Sequence, residues 1–269
     1  MKYGIVCKMG LEEGIDHVKA IVTLLKEAGE EVLLEEWIAG ALKMDGGLTL
    51  DKMDADIIIT IGGDGTLLRV LESRKVPVFG INAGLLGFLT EVPLEESVLG
   101  IKRLLQGDYL IELRTKLRTE HNGTRLPDAM NEAVIHTSQI AKMQLFEVSV
   151  DDMFMDRIRA DGLIIATPTG STSYSMSAGG PILDPRVRAT VIVPIAAFKL
   201  SSRPHIVPMD SKIKVNILNP KPAMMVLDGQ FQREIKMNDS LTFGVSETPA
   251  KFIRFKQRFY ERIAKQLVI

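Results

Sequence analysis

Apolar residues in the first hundred positions follow two alternating spacings. Short apolar runs, typical of strands buried on both faces, occupy residues 3–7, 31–36, 56–61 and 76–81. Apolar residues three or four positions apart, which predict amphipathic helices, occupy residues 15–28, 66–73 and 94–105. Strands that alternate with helices predict an open α/β (Rossmann-like) domain with a parallel sheet, which we place at residues 1–108.

The pattern changes at about residue 108. Short strands without intervening helices are predicted at residues 110–121, 145–150, 163–166, 191–195, 213–218, 224–227, 240–245 and 251–255. Asn122-Gly123 is a strong signal for a two-residue hairpin turn. We therefore predict an α/β plus all-β fold, with a C-terminal β-sandwich domain at residues 109–255. Residues 256–269 return to helical spacing, and we expect this C-terminal helix to pack back on the first domain.

Composition and charge narrow the class of protein. Lys plus Arg is 33 and Asp plus Glu is 34, so the chain lacks the basic excess of a nucleic-acid binder. No stretch reaches the roughly 18 apolar residues of a membrane span, so we expect no membrane partner. The single cysteine, Cys7, excludes an intrachain disulfide, and no signal peptide is evident. These observations predict a cytoplasmic globular protein.

A glycine cluster directly follows the apolar run that ends at Ile61. Gly62, Gly63 and Gly65 surround Asp64, and a helix is predicted to begin near Thr66. Glycines let the backbone approach a ligand closely, and the amides of a helix N-terminus favour phosphate. The carboxylate among them would repel phosphate, so we expect Asp64 to accept a proton from a hydroxyl or to help hold Mg²⁺.

The loop matches neither of two known phosphate-binding motifs, and a purely structural role is the alternative. The loop lacks the Gly-Lys-Ser/Thr of a Walker A motif, and Leu68 stands where a dinucleotide fingerprint needs its last glycine. In the alternative interpretation, Asp64 only caps the helix and the glycines only make a tight turn. The density of glycine around Asp64 favours a function.

A second ligand candidate is the segment RADGLIIATPTGSTSYSMSAGGPI at residues 159–182. A strand runs into a loop rich in small hydroxyl residues and glycines, which can donate hydrogen bonds to ribose and phosphate oxygens. Tyr174 can stack on a base or a nicotinamide ring. The alternative is a flexible surface linker, for which we would expect more charge and less apolar flanking sequence.

Taken together, these segments resemble the NAD kinase family. The chain carries GGDGT at 62–66, INAGLLGFLTE at 81–91, NE at 131–132 and ADGLIIATPTGSTSYSMSAGGP at 160–181, in that family's order. GGDG alone also occurs in phosphofructokinases and in diacylglycerol and sphingosine kinases, whereas the last segment is far more specific. The family commonly has alanine after the Ser-Thr pair of that segment, and here the residue is Ser173.

The resemblance implies roles for particular residues. Asp64 corresponds to the base that activates the 2′-hydroxyl of NAD. The implied substrate- and nucleotide-binding residues of the first domain are Gly62, Gly63, Gly65, Thr66, Arg69 and Asn82. Those of the second domain are Asn131 and Glu132 on the adenosine side, Lys142, Arg159, Asp161 on the nicotinamide side, Thr172, Ser173, Tyr174, Ser175, Ser177, Ala196 and Gln230.

The resemblance also implies the reaction and its partners. We expect phosphorylation of the 2′-hydroxyl of NAD to NADP, with ATP, another nucleotide or polyphosphate as donor and Mg²⁺ as the divalent ion. The four histidines lack metal-ligand spacing, so no metal site built from the protein alone is predicted. A homodimer or homotetramer is expected. The alternatives are a GGDGT-type kinase of a sugar or lipid, and a non-catalytic sensor that binds NAD or NADP.

Overall fold

The chain folds into two compact units. The computed structural model describes residues 1–11, 14–84, 87–199 and 201–267. The first unit comprises Met1–Leu113 and Ala250–Ile269, and the second comprises Arg114–Pro249. The sequence prediction had placed its boundary at residue 108 and had assigned residues 251–255 to the second domain. The structure therefore differs from the prediction at both ends of the second unit.

The secondary structure of the described residues comprises strands, helices and three short 3₁₀ turns. The strands are β1 (Lys2–Cys7), β2 (Glu31–Leu34), β3 (Ile57–Gly62), β4 (Val78–Asn82), β5 (Val92–Pro93), β6 (Leu110–Arg114), β7 (Leu117–His121), β8 (Thr124–Arg125), β9 (Glu132–Thr137), β10 (Gln144–Val150), β11 (Met153–Ala160), β12 (Gly162–Ala166), β13 (Ala189–Ile195), β14 (His205–Pro208), β15 (Ile213–Ile217), β16 (Ala223–Leu227), β17 (Phe231–Ile235), β18 (Ser240–Val245) and β19 (Ala250–Arg254). The helices are α1 (Ile15–Glu27), α2 (Glu36–Ala41), α3 (Asp64–Ser73), α4 (Ser97–Leu105), α5 (Tyr174–Ser177) and α6 (Phe259–Leu267). The 3₁₀ turns are Leu50–Lys52, Leu94–Glu96 and Gly170–Thr172.

The first unit is built on one sheet with strand order β2-β1-β3-β4-β19-β6, and β5 pairs with β4. The pairs β1–β2, β1–β3, β3–β4, β4–β5 and β4–β19 are all parallel. Every residue of β3 and β4 is buried, which explains their continuous apolar sequences. The carboxyl ends of β1, β3 and β4 lie side by side, since Cys7 pairs with Ile61 and Gly62 pairs with Asn82.

Amphipathic helices cover this sheet. The buried face of α1 carries Val18, Ile21, Val22 and Leu25, which recur at the helical period and pack in the core of the unit. Helix α4 packs against α1 and lies so close to the sheet that a Cβ at Gly100 would stand 3.0 Å from the ring of Phe79. A glycine at this position therefore sets the helix-to-sheet distance.

Three elements of the first unit differ from the sequence prediction. Helix α2 follows β2 where only a strand was predicted, and the two-residue strand β5 was not predicted. Strand β19 pairs in parallel with β4 through Phe252 and Val78, although its sequence was assigned to the sandwich. Its apolar alternation is typical of any half-buried strand and carries no information about which sheet it joins. The predicted helix at 256–269 forms as α6 in the first unit, with residues 268–269 outside the described residues.

The second unit is a β-sandwich. One sheet has the order β11-β10-β15-β18-β7-β8 and the other has the order β14-β13-β12-β9-β16-β17. Their inner faces meet in one core, which includes Phe146 and Phe243 from the first of these sheets and Ile135 and Ile165 from the second. Asn122 and Gly123, with φ of 49° and 75°, form the predicted turn between β7 and β8. The predicted fold class, an α/β unit and a β-sandwich, is confirmed.

No helix in the described part of the chain is long and apolar enough to cross a membrane.

Candidate active site

The glycine loop of the first unit joins β3 to α3 at the carboxyl edge of the sheet. A Cβ at Gly62 would lie 2.5 Å from the Thr66 hydroxyl, so packing requires glycine there. At Gly63 and Gly65, by contrast, a Cβ would meet no described atom within 4 Å. Packing does not require glycine at these two positions, and the absence of side chains there leaves space beside the N-terminal amides of α3.

The Asp64 carboxylate accepts three hydrogen bonds from consecutive backbone amides. Oδ2 accepts from the Phe88 N–H at 2.8 Å, and Oδ1 accepts from the N–H groups of Leu89 at 3.1 Å and Thr90 at 3.3 Å. A Cβ at Gly87 would lie 2.1 Å from Oδ1, so glycine is needed there for this contact. The carboxylate is therefore held by residues 88–90, and among described residues no hydrogen bond links it to the amides of its own helix. The capping interpretation of Asp64 does not describe this structure.

One acceptor position of Asp64 remains. An ionised carboxylate offers about four acceptor positions. The three backbone bonds use two on Oδ1 and one on Oδ2, so among described residues the second position of Oδ2 can accept from a ligand. Asp64 is only half-buried, so this oxygen is not sealed in the core.

Two polar residues, Asn82 and Lys8, lie beside the loop. Asn82, at the end of β4, pairs in register with Gly62, and the Ala83 N–H donates to the Gly62 carbonyl at 3.1 Å. Lys8 follows β1, donates its N–H to the Ile61 carbonyl at 2.8 Å, and has its Cβ close to the position of a Cβ at Gly62. Sequence analysis did not identify Lys8. Its place directly after a strand of a parallel sheet was the signal that could have revealed it.

Arg69 has a protein partner in this structure. Its guanidinium forms a two-pronged ion pair with the Glu35 carboxylate, one contact of which measures 3.0 Å, and donates to the Cys7 carbonyl at 3.3 Å. The ion pair with Glu35 raises the pKa of Arg69. The nucleotide-binding role of Arg69 stays a prediction. Within the motif at 81–91, Leu85 and Leu86 lie outside the described residues.

In the second unit, residues 130–132 and 167–173 form one packed cluster. The Thr167 hydroxyl donates to the Met130 carbonyl at 2.7 Å, and the Thr167 N–H donates to the Asn131 carbonyl at 2.9 Å. A Cβ at Gly170 would lie 2.0 Å from the Asn131 carbonyl oxygen, so only glycine permits this approach. The Ser173 hydroxyl donates to Glu132 Oε1 at 3.1 Å. The structure thus brings Asn131, Glu132 and Ser173 together in the second unit, and their binding roles stay predictions.

Asp228 holds this cluster from the turn between β16 and β17. Its Oδ2 accepts from the Met130 N–H at 2.5 Å, and its Oδ1 accepts from the N–H groups of Asn131 at 2.8 Å and Glu132 at 3.0 Å. Asp228 and Gly229, with φ of 50° and 69°, make the tight turn that points the carboxylate inward. Sequence analysis named Gln230 of this DGQ triplet and missed Asp228. An acidic residue preceding glycine in a hairpin is usually explained by turn chemistry alone.

Burial strongly perturbs the two acidic groups of this cluster. Burial, reinforced by the nearby Asp228 charge, raises the pKa of Glu132 from 4.5 to about 8, against the lowering effect of the Ser173 hydrogen bond. Burial also raises the pKa of Asp228, although three backbone amides and the charge of Lys116 act in the opposite direction. At neutral pH, Glu132 is therefore mainly a neutral carboxyl group that can donate a hydrogen bond.

Several buried polar atoms of the predicted site are not satisfied by the described part of the protein. They are Asn131 Oδ1, Glu132 Oε2 and Ser175 Oγ. Buried polar groups normally have partners, so unsatisfied atoms on predicted site residues indicate a place for a polar ligand. Of the other hydroxyl residues, Thr172 donates to the Thr169 carbonyl at 3.1 Å, and Tyr174 is 43% exposed. Ser177 is also exposed.

A second group of predicted residues lies at the other end of β12. Asp161 precedes this strand, and its backbone carbonyl accepts from the Thr137 N–H at 2.8 Å. Glu132 pairs with Ala166 at the far end of the strand. Five strand steps separate Asp161 from Ala166, or about 16 Å. Ala196 follows β13 with φ of 47°, next to Ile195, whose carbonyl accepts the Asp161 N–H at 3.0 Å.

The remaining basic and amide residues are exposed. The Arg159 guanidinium lies 4.9 Å from the ring centroid of Phe198, and both residues are beyond the same end of β12. Lys142 lies in the exposed loop after β9, and Gln230 lies at the β16–β17 turn. The structure therefore arranges the predicted residues of the second unit as two groups joined by the length of β12. Their binding roles stay predictions.

Comparison with known proteins gives a consistent result. Residues 3–109 match the sequence model described as the ATP-NAD kinase N-terminal domain, and residues 130–255 match that of the ATP-NAD kinase C-terminal domain. The chain is 43% identical to the NAD kinase of Methanothermobacter thermautotrophicus, covering 100% of this chain and 96% of that protein. It is 40% identical to the NAD kinase of Thermococcus kodakarensis, covering 99% of each.

Two solved structures are similar over almost the whole chain. The crystal structure of an NAD kinase from Archaeoglobus fulgidus in complex with ATP matches with a TM-score of 0.84 and 32% identity, covering 100% of both chains. Yeast NADH kinase complexed with NADH matches with a TM-score of 0.91 and 24% identity, covering 99% of this chain and 87% of that one. At that identity, the second match supports the fold alone.

Proposed function

Because the chain belongs to the ATP-NAD kinase family, we propose that it transfers the terminal phosphoryl group of ATP to the 2′-hydroxyl of NAD, forming NADP. The observation that carries the mechanism is the Asp64 carboxylate, anchored by three amides and left with one acceptor position on Oδ2. We assign that position to the hydroxyl proton. The bond between the 2′-oxygen and phosphorus forms as the bond between phosphorus and the bridging oxygen breaks, ADP leaves, and Asp64 takes the proton.

The loop around Asp64 suits the triphosphate. The N-terminal amides of α3, open at Gly63 and Gly65, and the Lys8 ammonium provide positive electrostatic potential for phosphate oxygens. The described residues contain no group of three His, Cys, Asp or Glu side chains able to hold a metal ion. Mg²⁺ uses few protein ligands when phosphates bind it, so we propose that it enters on ATP as part of the substrate.

The second unit suits the dinucleotide. Asn131 Oδ1 and the neutral Glu132 carboxyl offer an acceptor and a donor for the ribose hydroxyls, as the family motif implies. Asp161, about 16 Å away along β12, is assigned to the nicotinamide side. A dinucleotide is long enough to contact both groups. The same argument disfavours a small sugar as acceptor.

Asp64→Asn tests the mechanism. General-base assistance is typically worth about 10²- to 10⁴-fold, so we expect kcat to fall at least about a hundredfold with little change in the KM for NAD. Asp54→Asn is the matched control, because its side chain is 91% exposed in the same unit. NADP formation is followed with an NADP-specific dehydrogenase, and the thermal unfolding midpoint shows whether each variant is folded. Near-normal turnover of folded Asp64→Asn would remove Asp64 from the base role.

The same assay separates the alternative functions. NADP formed from NAD and MgATP supports the proposal, whereas turnover with a sugar or lipid alone would favour a different GGDGT-type kinase. Tight NAD binding without turnover would favour a sensor. Parallel reactions with other nucleotides, polyphosphate and NADH define the donor and the accepted redox form of the substrate.

We also propose that the protein is cytoplasmic and acts as a homodimer or homotetramer. A chain with one buried cysteine needs no oxidising compartment, and ATP and NAD are cytoplasmic substrates. Light scattering coupled to size-exclusion chromatography tests the assembly, and a monomer at micromolar concentration would contradict that part.

A further inference from the structure

Residues 88–91 of the first unit are bound on both sides of their backbone. On one side, the N–H groups of residues 88–90 donate to Asp64. On the other side, the carbonyls of residues 88–90 accept from two arginines of the C-terminal segment, Arg254 on β19 and Arg262 on α6. The conformation of this segment, and with it the carboxylate of Asp64, therefore depends on residues almost two hundred positions later in the chain.

Two consecutive peptide groups each link an arginine to the same carboxylate oxygen. The carbonyl of Phe88 accepts from Arg262 Nη1 at 2.6 Å, and the N–H of that peptide group, on Leu89, donates to Asp64 Oδ1. The carbonyl of Leu89 accepts from Arg254 Nη1 at 2.8 Å, and the N–H of that peptide group, on Thr90, also donates to Oδ1. A guanidinium on the carbonyl polarises the peptide and strengthens its N–H as a donor.

Glu91 fixes the two arginines. Its Oε2 accepts from Arg254 Nη1 at 3.1 Å and from Arg262 Nη2 at 2.9 Å, and its side chain is only 1% exposed. Arg254 also contacts Glu112 at 2.9 Å through Nε, so the four charged groups balance. Buried charges that are paired and hydrogen-bonded have few alternative arrangements, which makes this cluster a rigid support.

We propose that Arg262 is a positioning residue for Asp64, and that α6 supports the reaction by fixing the peptide group that binds Asp64 Oδ1. Nothing in the motif pattern assigns a role to this helix. The proposal rests on the proposed function, because it concerns the carboxylate assigned as the base. In this role Arg262 acts on Asp64 through the peptide group between Phe88 and Leu89.

Arg262→Met is the first test. The variant retains a long apolar side chain but loses the hydrogen bond to Phe88 and the contact with Glu91. Misplacement of a reacting group by about 1 Å can cost about 10²-fold, so we expect kcat to fall by about 10- to 100-fold with the KM values for NAD and ATP within about twofold of wild type. Lys265→Met is the matched control, since Lys265 is an exposed cation of the same helix, and its kinetics should equal wild type.

A double-mutant cycle distinguishes positioning from a general structural effect. If Arg262 acts through the Asp64 carboxylate, Arg262→Met causes no further loss of kcat in the Asp64→Asn background, to within about twofold. Losses that multiply would overturn the proposal, as would an Arg262→Met enzyme with normal kcat. Arg262→Lys keeps a donor for the Phe88 carbonyl and should recover part of the rate. If Arg262→Met shows no cooperative thermal transition, Arg262→Lys replaces it in the double-mutant cycle with Asp64→Asn.

Failure of this proposal is distinguishable from failure of the proposed function. If wild type and Lys265→Met form no NADP, the proposed function is wrong. If both form NADP and the two losses multiply, only the positioning role of Arg262 is wrong.

Discussion

Glu132 makes the stability of the second unit depend on pH, and Glu132→Gln should remove that dependence. The group is 6% exposed, and burial together with the Asp228 charge raises its pKa from 4.5 to about 8. A shift of this size corresponds to about 5 kcal/mol of preference for the neutral carboxyl in the folded state. The free energy of unfolding of a protein is only about 5–15 kcal/mol, so a contribution of about 5 kcal/mol is large.

The sign follows from proton binding. Between the unfolded pKa of 4.5 and the folded pKa of about 8, the folded protein holds a proton on Glu132 that the unfolded chain has lost. The free energy of unfolding therefore falls as pH rises through this range, by up to about 5 kcal/mol, and this dependence ends above the folded pKa. Glutamine at this position carries no charge at any of these pH values, and its Oε1 can still accept from Ser173. Glu132→Gln should match wild type near pH 5 and be several kcal/mol more stable near pH 9.

Urea unfolding near pH 5, 7 and 9, followed by far-UV circular dichroism, measures this difference. The only tryptophan, Trp37, lies in the first unit, so its fluorescence in the same samples reports unfolding there. Glu234→Gln, on the exposed face of β17, controls for the loss of one carboxylate from the second unit. Parallel pH dependences for wild type and Glu132→Gln would refute the assignment of a buried, neutral carboxyl to Glu132.

Two glycine substitutions test the site from opposite directions. Gly65 lies in the first turn of α3 with open space around it, so Gly65→Ala should raise the unfolding midpoint in line with a gain of up to about 1 kcal/mol. The same methyl group would obstruct the phosphates, so kcat/KM for ATP should fall at least about tenfold. The exposed Gly40→Ala in α2 should give the stability gain alone, and equal activity of Gly65→Ala would argue against phosphate at this loop. Gly170→Ala places a methyl group 2.0 Å from the Asn131 carbonyl oxygen, so the free energy of unfolding measured in urea should fall by about 1–3 kcal/mol. The KM for NAD should rise at least about tenfold, because the Asn131 backbone is displaced. Gly244→Ala, with open space in the same unit, should change neither quantity, and unchanged NAD kinetics in Gly170→Ala would separate Asn131 from the dinucleotide.

The sequence predicts those parts of the fold that depend on local pattern. Strands β3 and β4 and helices α1 and α3 were predicted because burial on both faces or on one face leaves a period in the sequence. The assignment of strands to sheets is not local. Strands β6 and β7 form one alternating stretch at residues 110–121, yet β6 joins the sheet of the first unit and β7 joins the sandwich. The chain passes from one unit to the other between them without a turn signal.

The candidate site shows the same division. Asp64 was named because it lies in an unusual glycine-rich sequence, and the family resemblance supplied Asn131 and Glu132. Neither named Asp228, Arg254 or Arg262, whose contribution depends on contacts with backbone that is distant in sequence. Almost every residue type offers the same backbone amide and carbonyl. A side chain that binds these groups therefore requires no particular partner residue that could be recognised in a single sequence. The family resemblance implied a nucleotide-binding role for Arg69, which stays a prediction, and a single sequence could not reveal that its guanidinium pairs with Glu35.

Asp64 in the first unit and Asp228 in the second share one arrangement and differ in one physical respect. In each, one carboxylate oxygen accepts one amide and the other accepts the next two amides along the chain, from residues 88–90 at Asp64 and from residues 130–132 at Asp228. Both therefore hold a backbone segment in place. At Asp228, however, burial raises the pKa, and the acidic Glu132 lies beside it. Negative charge is therefore less favourable at this carboxyl group. Asp64 is half-buried at a helix N-terminus, where a negative carboxylate is favoured and a ligand hydroxyl can reach it. The same hydrogen-bond pattern thus serves structure at Asp228 and, by our proposal, both structure and proton transfer at Asp64.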